Sequence, residues 1–138
     1  MIDRDQEIRE AILAGETALR CLRNAQTALN SAGNWGIFDM LGGGMISTFV
    51  KHSKIDAAKQ ELEQSRHALW QFQAELEDVN QLIRFDVNIG DFLKFADYFF
   101  DNFFVDWMVQ SKIGDAKRQV SQLISKIERI LGELRRQL

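Results

Sequence analysis

The amino-acid sequence predicts an all-α fold, on three observations. There is no proline among the 138 residues, where average usage of about 5% would supply about seven, so long helices meet no obligatory breaker. Glycine is left to punctuate the chain, and five of the nine glycines lie together between Gly33 and Gly44. Three long stretches place apolar residues three and four apart, the spacing of one helix face rather than the alternation of a strand. Together these predict an elongated antiparallel bundle of three long heptad-patterned helices plus a short aromatic helix, in a single domain over residues 1–138. A chain of this length buries a core without disulfides or metals.

The first helix has its start signal at Asp3, with Gln6 placed as a reciprocal capping partner. From there Ile8, Gly15, Leu22 and Leu29 recur every seven residues. Ala11, Ala18, Ala25 and Ala32 come three residues later in each heptad, and Ile12 and Leu19 widen the stripe. A seam with so many small residues lets a neighbouring helix approach closely. Asn30-Ser-Ala-Gly33-Asn34 is expected to end the helix, because glycine most easily takes the left-handed conformation after a last turn.

A polar, glycine-broken stretch runs from Trp35 to Asp56, and the second helix is expected to begin between Gly44 and Ser47. Its seam is the clearest periodicity in the chain: Ile55, Leu62, Leu69, Leu76 and Ile83 at one heptad position, Ala58, Ser65, Phe72 and Val79 at the other. Ile46, Phe49 and Val50 fall on the opposite side and need another cover. Trp70 sits at the edge of the seam, as a core flank or a contact for a second chain.

Asn88-Ile-Gly90-Asp91 reads as the next break, with Asp91 as the N-cap. Phe92 to Trp107 then holds eight of the fourteen aromatic residues, with Lys94, Asp97 and Asp101 on the other side, an amphipathic helix with a wide buried face. It is the natural lid over Ile46, Phe49 and Val50, or over Trp35 and Phe38. The last helix has its own seam, Ile113, Val120, Ile127 and Leu134 with Ala116, Leu123 and Ile130. That seam is rotated by about 120° from the aromatic face on a continuous helix, so a kink or break is expected between Asp106 and Gly114. A shift of 58 residues lays Ser53-Lys-Ile-Asp-Ala-Ala-Lys59 over Ser111-Lys-Ile-Gly-Asp-Ala-Lys117. One reading of the fold is therefore a duplicated helical hairpin whose middle helices have fused.

Charge and chemistry exclude more than they assign. The net charge is −3, from 17 basic and 20 acidic residues interspersed along the chain, so no basic field exists to hold nucleic acid. A membrane surface is a poor fit, because the polar side of the aromatic helix is acidic. The single cysteine, Cys21, forms no internal bridge, and the first residues lack a signal peptide's basic flank and apolar run, so a cytoplasmic location is expected. Cys21 has no local activator and reads as a small buried thiol. Ser53 beside His52 is no triad, since helix neighbours point about 100° apart. Nothing in the inventory requires catalysis, no catalytic residue is assigned, and no particular cofactor is indicated.

Two ligand readings attach to the glycine stretch. The amides of Gly42, Gly43 and Gly44, ahead of a helix N-terminus and near Asp39, Lys51, His52, Lys54 and Asp56, form a candidate anion site. The spacing is not that of a Walker loop and no strand precedes it; the plainer account is that the glycines permit a tight reversal between long helices. Alternatively, His52 and Asp56 share a helix face, and with Asp39, Asp97 and Asp101 they form a candidate metal set. The paired Glu-x-x-His signature of bundle di-iron proteins is absent. The preferred expectation is an interaction or structural protein that forms a homodimer or docks a partner helix through its long heptad helices. A ligand site at the glycine stretch is the alternative.

Trp35-Gly-Ile-Phe-Asp39-Met-Leu-Gly-Gly-Gly44, then Lys51-His-Ser-Lys-Ile-Asp-Ala57, resembles a motif of a group of small, mainly bacterial helical proteins. Asp97-Tyr-Phe-Phe-Asp101 and Asp106-Trp107 are similar to the second block of that group. The resemblance implies that the glycine stretch and the aromatic helix form a unit, and it brings no activity or ligand.

Overall fold

The computed structural model describes residues 3–40, 45–110 and 113–138, with side chains described outside 32–54 and apart from Met108 and Gln110. The described chain is all-α, with no strand among the described residues. Helix α1 spans Arg4–Met40, α2 Met45–Asn80, α3 Ile89–Tyr98, α4 Val105–Gln110 and α5 Ile113–Arg136, and a π-helical segment at Phe99–Phe104 joins α3 to α4. At 1.5 Å per residue, α1 and α2 are each about 55 Å long.

The apolar stripes read from the sequence supply the core. On α1, Ile8, Ala11, Ala18, Leu22, Ala25 and Leu29 are fully buried; on α2, Ala58, Leu62, Ser65, Leu69, Phe72, Leu76 and Val79; on α5, Ala116, Val120, Leu123, Ile127, Leu131 and Leu134. Each large aliphatic or aromatic side chain among them contributes about 1.5–3 kcal/mol by leaving water. Ser65 tolerates burial because its hydroxyl donates to the Glu61 carbonyl one turn back, at 3.0 Å. At Gly15 three helices approach closely: a Cβ there would lie 2.6 Å from Leu131 Cδ2 on α5 and 2.8 Å from Phe72 Cε1 on α2.

Polar contacts along the rim give the directions of the helices. Arg4 pairs with Gln137, Glu16 with Arg135, Arg23 with Glu128 and Gln26 with Ser121. From Gln137, just past the end of α5, to Ser121 within it, the partner number falls as that on α1 rises, so these two helices lie side by side in opposite senses. The aromatic face of α3 packs inward, with the Phe92 ring edge-on to Phe72 at 5.9 Å and the Lys126 ammonium 5.0 Å from the Phe95 centroid.

Several boundaries differ from the sequence reading. Helix α1 does not stop at Asn30–Asn34 but runs through Gly33 and Gly36 to Met40. A lone helical glycine costs about 1 kcal/mol against alanine, and with no proline behind it that is too little to end a helix. Most of the stretch from Trp35 to Asp56 is therefore helix, in α1 and α2, and Leu41 to Gly44 lie outside the described residues. The N-cap of α3 is Asn88, not Asp91: Asn88 is extended (φ −79°, ψ 100°) and its side chain accepts from the Asp91 amide at 3.0 Å. At the start of α1, Asp3 does cap, accepting from the Asp5 and Gln6 amides, but the Gln6 side chain donates to Glu10. Helix α2 closes at Asn80, so Ile83 meets the core from a turn and is half-buried.

The π segment has no counterpart in the sequence reading. A π turn inserts a residue and rotates the rest of the helix by about 100° relative to a continuous α-helix, so the aromatic stretch changes phase at Phe99–Phe104. The join expected between Asp106 and Gly114 includes Ser111 and Lys112, outside the described residues, as are the side chains of Trp35, Phe38, Ile46, Phe49 and Val50 for which the aromatic helix is the expected cover.

Candidate functional site

The residues singled out around the glycine stretch fall on several elements. Asp39 stands near the C-terminal end of α1, and Lys51, His52 and Lys54 near the start of α2, with their side chains outside those described; Gly42, Gly43 and Gly44 are outside the described residues altogether. Asp56 is exposed on α2, and Asp97 and Asp101 are exposed on α3 and the π segment. Asp97 accepts a hydrogen bond from Gln73 Nε2 at 3.3 Å. Gln73 is 17 residues beyond Asp56 on the same helix, about 25 Å at 1.5 Å per residue. Allowing about 11 Å for the two side chains and the bond between them, the Asp97 backbone stays at least about 14 Å from that of Asp56. Metal ligands sit about 2.0–2.6 Å from their ion, so the structure does not bring Asp97 and Asp56 to one cation. His52 lies a further turn away along α2.

Carboxylates do meet elsewhere. Glu7 and Glu10 of α1 and Glu75 of α2 present oxygens within 4.8 Å of one another, the grouping among the described residues with the spacing to share a cation. Gln6 donates to Glu10 and Gln71 donates to Glu75, each from the next turn. Partial desolvation, then the charges of Glu10, Asp78, Glu75 and Asp3, hold the Glu7 carboxyl above its ordinary value. The Glu7 and Glu10 pair is legible at one-turn spacing; the approach of Glu75 depends on the register between two helices.

A second carboxylate is structural. Glu133 of α5 is 7% exposed and accepts from the amides of Val87 at 3.0 Å and Asp86 at 3.2 Å, with the Arg136 guanidinium 3.9 Å away. Charge-assisted bonds of this kind are stronger than neutral ones, and they fix the connection that carries Asn88 to the start of α3. At the other end of the aromatic stretch, Tyr98, Asp106, Trp107, Asp115, Arg118 and Gln119 line a cleft of about 230 Å³, below the usual ligand range of about 300–1,000 Å³. Cys21 is half-buried.

The surface feature that stands out chemically is Trp70. It leaves 62% of its area exposed, while Phe72 two residues on is fully buried. Trp70 lies in an open groove of about 630 Å³ between α2 and α3, walled by Gln73, Ala74, Glu77, Leu93 and Asp97. The Arg66 guanidinium lies 6.0 Å from its ring centroid. His67 is exposed beside it. No described helix is long and apolar enough to cross a membrane. Comparison of the chain with protein-family models, with curated proteins and with solved structures finds no match.

Proposed function

We propose that this chain is a non-enzymatic helical interaction protein of the cytoplasm: an elongated antiparallel bundle of three long heptad-patterned helices that presents the outer face of α2 to a partner helix or to a second copy. The observation that carries this reading is Trp70. Leaving most of an indole in water forgoes about 2 kcal/mol or more of burial energy, and tryptophan is the residue type most enriched among binding hot spots. The core side of α2 is built from other residues, Ala58, Leu62, Leu69, Phe72, Leu76 and Val79, all fully buried. The same proposal takes in the duplicated hairpin, whose shifted positions Ala11 and Ala18, and Leu69 and Leu76, are all core residues.

The test is site-specific photo-crosslinking in the cells that make the protein, with p-benzoylphenylalanine in place of Trp70 and, as control, in place of the exposed Ser125 on α5. Discrete adducts from position 70 and none from position 125 are expected. No adduct at 70, or the same pattern at both, would refute the reading. Light scattering across concentration then separates a second copy from another protein.

A further inference from the structure

We propose that the groove between α2 and α3 docks a cationic, apolar-faced helix of another protein, with its Lys or Arg side chains between Glu77 and Asp97 and its apolar side chains against Trp70 and Leu93. This rests on the interaction reading above and adds the site and the chemistry of the partner. Apolar and acidic groups are combined in one groove, whose lining includes Trp70 and the half-buried Leu93 together with the carboxylates of Glu77 and Asp97. Gln73, only 8% exposed, donates to Asp97 at 3.3 Å and so holds that carboxylate in place before anything binds. Ala74, one turn from Trp70, leaves room for another backbone to approach. The Arg66 guanidinium, 6.0 Å from the ring centroid, already makes a cation–π contact with this indole, the kind of contact a partner's Lys or Arg would replace.

The same charges speak against a second copy. An antiparallel pairing of two α2 helices about Trp70 sets Glu63 of each against Glu77 of the other, and a parallel pairing sets Arg66 against Arg66. Like charges in facing positions are how helical interfaces reject a partner. A cationic helix instead meets the carboxylates of Glu77 and Asp97, with Arg66 the like charge it has to displace from the indole.

The probe is a designed amphipathic helix of Leu and Lys, compared with its counterpart carrying Glu at every Lys position, with binding to the full chain monitored by fluorescence anisotropy at low and physiological salt. The Lys peptide is expected to bind at least about tenfold more tightly than the Glu peptide, and to weaken with salt. Trp70→Ala is expected to weaken it by about thirtyfold, and Glu77→Gln with Asp97→Asn by about tenfold with a flatter salt dependence. Glu16→Gln with Glu128→Gln removes the same charge from the α1–α5 side and should leave affinity within about twofold. Thermal unfolding verifies that every variant is folded. Equal binding of the two peptides, or a control variant that loses as much as the groove variant, overturns the proposal. So does a dimer that Trp70→Ala dissolves, because the occupant is then a second copy. Adducts at position 70 in cells without Lys-peptide binding would leave the interaction reading standing and overturn the cationic chemistry.

Discussion

Gly15 is the point at which the packing of this protein can be measured most directly. Replacing a helical glycine by alanine gains about 1 kcal/mol from backbone entropy alone. At Gly15 the added methyl meets Leu131 Cδ2 at 2.6 Å and Phe72 Cε1 at 2.8 Å, both closer than atoms can stand, so two buried side chains on two other helices must move. Overpacking of this kind costs about 1–3 kcal/mol, and Gly15→Ala should range from neutral to destabilised by about 2 kcal/mol. Gly132, inside α5, is the control: the nearest group to its added Cβ is Arg136 Nη1 at 3.9 Å, the end of a flexible side chain. Gly132→Ala should therefore keep the whole gain of about 1 kcal/mol. The difference between the two variants cancels helix propensity and leaves the packing term. Urea denaturation reads it as a separation of about 1–3 kcal/mol at equal slope, and thermal unfolding as a Tm of Gly132→Ala about 4 °C above the parent, with Gly15→Ala at or below it. Shortening Leu131 should relieve part of the Gly15→Ala cost, a coupling of about 0.5–3 kcal/mol in a double-mutant cycle. Equal stabilisation by the two substitutions would refute the close approach of α1, α2 and α5.

Three other side chains give sharp expectations from single contacts. Glu133→Ala removes the acceptor of the Asp86 and Val87 amides and should cost about 2–3 kcal/mol, with hydrogen exchange showing loss of protection at those two amides first. Asn88→Ala should cost about 1 kcal/mol in denaturation, whereas Asp91→Ala should cost clearly less, since Asp91 supplies only the capped amide. Glu7→Gln should stabilise at neutral pH. The Glu7 pKa is raised in the folded chain above the ordinary 4.5, so its ionised form counts against the native state at pH 7, and that penalty disappears as the pH falls through the raised value. The gain in Tm over the parent should therefore shrink towards zero below pH 4.5, and a gain independent of pH would contradict the assigned cause.

By itself the sequence determined the helical class and the core side of each long helix. A repeat of three and four residues is local information, and Ile8 to Leu29, Ile55 to Val79 and Ala116 to Leu134 are buried where that spacing puts them. The starts near Asp3 and Met45 were legible for the same reason. What only the tertiary structure decided depends on where other helices lie. Gly33 reads as a stop, yet α1 continues, because the cost of one glycine is small against the propagation of a helix already formed. Asp91 reads as the cap in sequence, yet it is Asn88 that caps, where the connection anchored by Glu133 ends. The phase change at Phe99–Phe104 has no local signal, because phenylalanines on successive positions fit either period. Asp97 carried no sign of its distance from Asp56, nor Glu75 of its closeness to Glu7. Trp70 and Phe72 are two residues apart on one helix, and the rotation of about 200° between them sends Phe72 into the core and leaves Trp70 on the surface. Glu77 follows Trp70 by seven residues on the same helix, but Asp97 comes from α3, and it is the packing of α3 beside α2 that adds this second carboxylate to the groove of the exposed indole.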